Sequence, residues 1–128
     1  MAHLTYRDIS LIEWTSECGG DLEVTSAGIN YPDSGTYRKY LNCVWTVNRT
    51  GEFLLRFARF DVEKSRACRY DWLQVDDGKK ICGKTLPKDI IIKKSSVRIK
   101  FHSDGYNYNK GFKINVHGKH IKPFFTFS

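Results

Sequence analysis

The chain has 128 residues, with 21 Lys and Arg against 14 Asp and Glu, for a formal net charge of +7. That length suits one domain around a single core, and an apolar content of 41% with 14% aromatics excludes a disordered polyelectrolyte. No apolar run approaches the ~20 residues that cross a bilayer, so no membrane span is expected.

The opening "MAHLTYRDISLIEW" has neither the basic start nor the continuous apolar centre of a secretory signal. It reads either as the start of a cytosolic chain or as a mature or excised secreted chain with an added Met. Residues 1–16 show no strand pattern. The first alternating segment is "CVWTV" (43–47), closed by "NRTG", and "FLLRFARF" (53–60) follows. "YDWLQV" (70–75) runs into "DDG", where Asp76, Asp77 and Gly78 are expected to turn a hairpin. "DIIIKKSSVRIKFHS" holds two strands, 89–92 and 96–102. "GFKINVHG" (111–118) is the last, with Phe112, Ile114 and Val116 on one face. Long helical periods are absent, so the pattern predicts an all-β sandwich or barrel. The closing "HIKPFFTFS" is expected to be an extra strand or a tail over a sheet edge, with an apolar partner surface as the alternative.

Cys18, Cys43, Cys68 and Cys82 form an even set without C-x-x-C, which argues against a zinc ribbon or a thioredoxin-like site. Four cysteines allow three pairings. The sequential pairing closes two modest loops, each worth ~3 kcal/mol by loop-closure reasoning. Asn48-Arg49-Thr50 is a glycosylation acceptor. Together, cysteines and acceptor favour disulfides and an extracellular, secreted glycoprotein over buried free thiols.

Catalysis finds little support. His102-Ser103-Asp104 has the residue types of a hydrolytic triad, but consecutive strand residues alternate faces and cannot converge. There is no G-x-S-x-G elbow, and His117 and His120 match no zinc spacing. "KKSSVRIKF" lacks the accompanying fingerprint of a nucleic-acid module, so nucleic acid is not an expected partner. The remaining constellation is oxygen-rich. Glu63 follows a strand, Asp71 comes eight residues later, and Asp104 ends "FHSD", each where a strand meets a loop. Ca²⁺ takes six to eight oxygens from carboxylates, carbonyls and water, which these residues could supply if they converge.

These residues and the cysteines carry a resemblance. "CGGDL", "GINYPDSGTYRKYLNCVWTV", "LLRFARFDVE", "CRYDWLQVDDG", "ICG" and "IKFHSDGYNYNKGFKINV" together resemble the CUB domain family, in its calcium-binding form. The resemblance spans residues 18–117, leaving 1–17 as an N-terminal extension and 118–128 as a tail. It implies a disulfide-stapled, jelly-roll-like antiparallel β-sandwich of two sheets, with Cys18 paired to Cys43 and Cys68 to Cys82. It implies Ca²⁺ held by Glu63, Asp71 and Asp104, with Gly105 and Asn107 as the nearest carbonyl and amide donors. Tyr37, six residues before Cys43, would support the site. The family's Y-P-x-x-Y spacing is stretched here in "YPDSGTY", next to that tyrosine.

The implied function is an extracellular, non-catalytic module. It would bind a protein bearing exposed Lys or Arg through a calcium-ordered surface of Glu63, Asp71 and Asp104, rimmed by Tyr37 and Tyr106. The alternative is a sulfated glycosaminoglycan of the heparin type, bound by Lys93, Lys94, Arg98 and Lys100, with calcium only structural. Lys79, Lys80, Lys84 and Lys88 add to that basic balance. A third reading makes the chain a regulatory piece of a larger enzyme.

Overall fold

The alternating segments form strands because each presents one apolar face to a shared interior. The computed structural model describes residues 13–23, 27–48, 51–106 and 108–118. Nine strands are present among them: β1 (Glu13–Thr15), β2 (Gly20–Leu22), β3 (Ala27–Tyr31), β4 (Asn42–Asn48), β5 (Phe53–Asp61), β6 (Trp72–Val75), β7 (Ile90–Ile92), β8 (Ser96–His102) and β9 (Gly111–Gly118). They make a five-stranded sheet, β1-β3-β9-β5-β7, and a four-stranded sheet, β2-β4-β8-β6.

The core lies between the sheets. In β4, Cys43, Trp45 and Val47 point inward while Asn42, Val44 and Thr46 point out. Trp45, Phe101 and Phe112 meet edge to face, with Trp45–Phe112 centroids 5.7 Å apart and Phe101–Phe112 centroids 5.0 Å apart. Phe112, Ile114 and Val116 are all buried on one face of β9, as their spacing predicts. The disulfides pair Cys18 with Cys43 and Cys68 with Cys82.

The predicted two-sheet sandwich forms, with two differences in detail. Most pairings are antiparallel, but β1 runs parallel to β3 and β2 runs parallel to β4. Both pairs are edge additions by short strands from the N-terminal part of the chain. Residues 13–17, the described part of the stretch read as an N-terminal extension, join the fold. Glu13 pairs with Ala27, the Trp14 ring lies over Gly28, and Trp45 Nε1 donates to the Glu17 carbonyl at 3.1 Å. The last strand likewise runs through Gly118, the first residue assigned to the tail. The aromatic ending itself lies outside the described residues. A bulge at Phe57–Arg59 re-aims Arg59. Its guanidinium reaches the side chain of Asn30 and the carbonyls of Pro32, Lys110 and Phe112, tying the bend after β3 to the start of β9.

No described helix is long and apolar enough to cross a membrane.

Candidate functional site

One end of the sandwich gathers strand ends from both sheets. Glu63 lies just past β5 in the five-stranded sheet, and Asp71 lies just before β6 in the four-stranded one. A single short segment holds both. Gly83 exchanges two backbone hydrogen bonds with Val62 (3.0 and 2.8 Å), and Ile81 exchanges two with Leu73 (2.9 and 2.8 Å). Between them Cys82 is bridged to Cys68, three residues before Asp71. Thus Ile81–Gly83 spans the gap between the sheets and sets the separation of the two acids. Asp104 comes from the neighbouring strand, since Trp72 opposes His102 and places Asp71 and Asp104 at the same end of the β6–β8 pair.

Carboxylate oxygens of Glu63, Asp71 and Asp104 lie within 4.8 Å of one another. Asp71 is fully buried. Its Oδ1 accepts the Asp104 backbone N–H at 2.8 Å and its Oδ2 accepts the Tyr37 hydroxyl at 2.6 Å. The Tyr37 oxygen in turn accepts the Glu63 backbone N–H at 3.0 Å. One phenol therefore links the Asp71 carboxylate to the Glu63 backbone. Asp104 Oδ1 accepts the Tyr106 N–H at 3.3 Å, folding the following loop back over the site. Glu63 Oε1 is buried and has no hydrogen-bond partner.

The electrostatics are unfavourable without a cation. Burial first, then the charges of Asp71 and Asp104, pushes the Glu63 carboxyl above its usual range. Burial also raises Asp71, against the hydrogen bond from Tyr37, which favours its ionised form. At this spacing each ionised pair repels by about 3 kcal/mol at an effective dielectric of ~20. A divalent ion would reverse that sign and give the orphaned Glu63 oxygen a partner. All the donors are hard oxygens, which fits Ca²⁺ rather than a thiolate- or imidazole-seeking metal.

The predicted site residues are placed as follows. Glu63, Asp71 and Asp104 converge. Gly105 adjoins them beneath the Tyr40 hydroxyl, 2.8 Å from where a Cβ would stand. Asn107 lies outside the described residues. Tyr106 is exposed, with the Lys39 ammonium 5.5 Å from its ring centre. Tyr37, expected on the rim, is instead buried beneath the acids, edge-on to Phe101 at 4.9 Å. The longer "YPDSGTY" spacing is taken up in the bend Pro32–Gly35, where Gly35 adopts φ +70°. Tyr37 therefore still reaches Asp71. Asn48 ends β4 opposite Ser96.

The basic set does not act as one patch. Arg98 and Lys100 share the outer face of β8, Lys93 sits in the turn before it, and Lys94 pairs with Asp76 at 3.0 Å. Asp76 also does more than turn the chain. At φ +51° it exchanges backbone N–H and side-chain contacts with Arg98, accepting the Arg98 N–H on Oδ1 at 2.9 Å and donating its own N–H to the Arg98 carbonyl at 2.7 Å. His102 and Ser103 do not meet. His102 stacks on Trp72, while buried Ser103 donates to the Arg38 carbonyl at 2.7 Å and accepts the Leu41 N–H at 3.0 Å. The sequence reading missed Tyr40 and Tyr70, exposed tyrosines beside the acids. The place of Tyr70 next to Asp71 in sequence was the available signal, whereas Tyr40 meets Gly105 only through the fold.

A family profile for the CUB domain matches residues 18–116. Bone morphogenetic protein 1 of Xenopus laevis is 34% identical over 77% of this chain and 15% of its own length. Human tolloid-like protein 1 is 35% identical over 77% of the chain and 11% of its length, and the Drosophila melanogaster cubilin homolog is 35% identical over 73% and 3%. The chain thus spans only a small part of each curated relative. Among solved structures, the MASP-1 CUB2 domain bound to Ca²⁺ superposes with a TM-score of 0.72 at 27% identity, covering 79% of this chain and all of that one. The human MASP-1/3 CUB1-EGF-CUB2 structure matches at 0.71 and 28%, covering 79% of this chain and 42% of that chain. By sequence profile, strand arrangement and paired cysteines, the chain belongs to the CUB domain family.

Proposed function

We propose that the chain is an extracellular, non-catalytic binding module whose acid-bearing end takes Ca²⁺ and then a cationic side chain of a protein partner. The observation that carries this reading is the buried, unpartnered Glu63 Oε1 facing Asp71 and Asp104. Three convergent carboxylates with a spare buried lone pair are costly alone and complementary to a hard divalent ion. Glu63, Asp71 and Asp104 would hold the ion, with Gly105, Asn107 and water filling the remaining positions. Calcium binding in a structural neighbour supports the same assignment. The ion supplies fixed positive charge that locks the loops. The remaining lone pairs of Glu63 and Asp104, both partly exposed, then accept a Lys or Arg donor from outside. Tyr37 acts from beneath, orienting Asp71.

The partner reading is tested with a lysine-presenting peptide and its acetyl-lysine counterpart, immobilised at equal density. Retention of the chain on the lysine peptide in calcium, lost in EDTA, on acetyl-lysine and in Asp104→Ala, is the expected result. Equal retention on both peptides would refute recognition of a cationic side chain.

A further inference from the structure

We propose that the outer face of the four-stranded sheet binds a sulfated polysaccharide, through Arg98, Lys100 and Lys80 ordered by a His102–Trp72 stack. This surface is separate from the three acids and from the reading given for them.

The register places the groups. On the outer face, Lys100 lies between Val44 and Gln74, His102 lies between Asn42 and Trp72, and Arg98 lies opposite Thr46. Arg98 and Lys100 are two residues apart on one strand, about 7 Å along it. The Trp72 ring stacks on His102, with centroids 5.3 Å apart and planes 25° apart. Lys80, next to Ile81 on the opposite edge of β6, brings its ammonium to 4.4 Å from the Trp72 ring centre. The cation–π contact fixes an otherwise mobile lysine over the face.

These charges are available. Among the described residues, the salt bridges involve neither Arg98, Lys100 nor Lys80. Asp76 pairs with Lys94 and the Arg98 backbone, and Lys100 acts on it only at a distance, without a salt bridge. That pairing removes Lys94 from the expected anion-binding set and leaves the Arg98 and Lys100 side chains as the set's members on this sheet. Asp21 sits two strands away, opposite Thr46. Asn48, the expected glycosylation acceptor, is one row beyond Arg98 at the border of the face.

The shape selects among polyanions. The Trp72 indole is already stacked on His102 and contacted by the Lys80 ammonium, so it is no free platform for stacking nucleobases. Val44 is the only large apolar side chain of β4, β6 or β8 that is exposed on this face, at 37%, too little to enter a bilayer. An outer face with Arg98 and Lys100 along one strand and Lys80 beyond Trp72 fits a linear chain carrying sulfates. Arg and Lys hold such groups by charge-assisted hydrogen bonds.

The test measures affinity for a heparin-derived oligosaccharide at 150 mM NaCl in EDTA. It compares wild type, Arg98→Gln/Lys100→Gln, and the charge-matched Lys84→Gln/Lys88→Gln, with thermal melts confirming that all are folded. The expected result is at least tenfold weaker binding in the first double variant and less than threefold in the second. Asp104→Ala is expected to bind like wild type, and desulfated heparin to compete poorly. Equal loss in both double variants would reduce the effect to net charge and overturn the proposal. So would absence of wild-type binding, or tighter binding of a single-stranded oligonucleotide of the same length.

Discussion

Replacing Tyr37 by Phe removes one oxygen and leaves the ring on Phe101, 4.9 Å between centroids. The lost hydroxyl donates to a fully buried carboxylate at 2.6 Å and accepts the Glu63 N–H at 3.0 Å. A hydrogen bond to a charged group contributes about 2 kcal/mol, and a part-buried N–H left without an acceptor costs about 1 more. The expected loss is therefore about 3 kcal/mol in chelator, or about 10 °C in Tm for a domain of this size. Because Tyr37 also sets the Asp71 rotamer, calcium affinity is expected to fall about tenfold, the scale seen when a ligand-orienting group is removed. Differential scanning calorimetry in EDTA, then calorimetric titration with CaCl₂, reads both numbers. Tyr108→Phe, on an exposed ring, is the control. A Tm within 2 °C of wild type together with unchanged affinity would show that the phenol does not organise the acids.

Three further outcomes follow from the same geometry. In EDTA, the raised folded-state carboxyls of Glu63 and Asp71 bind protons before the unfolded chain does. Stability in chelator is thus expected to rise as pH falls from neutral towards the unfolded carboxylate range. In calcium the slope reverses, because protons displace the ion, and urea midpoints at several pH values distinguish the two. At Asp76, burial pushes the carboxyl up, but the Arg98 N–H and the Lys94 ammonium outweigh it and hold it below the usual range. The wild-type advantage over Asp76→Asn is then present above the unfolded Asp pKa of ~3.9 and is lost as pH falls through the lower folded value. With Lys94 largely exposed, it stays below about 1 kcal/mol. Gly111→Ala is expected to cost more than about 2 kcal/mol, since φ is +85° and the new Cβ would stand 2.0 Å from the Tyr31 carbonyl oxygen. Gly35→Ala, at φ +70° in open space, is expected to cost only about 1 kcal/mol by urea unfolding.

The strands legible in the sequence were those that alternate over four or more residues, together with β7, a short apolar run between turn signals. β4, β5, β6, β8 and β9 each have one buried face, and that burial is what the pattern encodes. β1 and β2 are three residues long and pair parallel to partners set by distant chain segments, so no local period marks them. The acids were legible as residues at strand ends, but their convergence depends on Ile81–Gly83 spanning the two sheets, which is a tertiary fact. Tyr37 was assigned to the right neighbourhood and the wrong depth. Its ring is core and its hydroxyl is site, a division that residue type alone does not reveal. The basic run 93–100 looked continuous in sequence, yet strand alternation and the Asp76 pairing divide it.

The most direct measurement is calorimetric titration of the chain with Ca²⁺, wild type beside Asp71→Asn. One ion per wild-type chain is expected, with Kd in the ~10⁻⁴–10⁻³ M range of extracellular modules, and no binding heat in the variant. Asp71→Asn binding calcium as wild type does, or a wild type that takes up none, would contradict a calcium site held by Asp71.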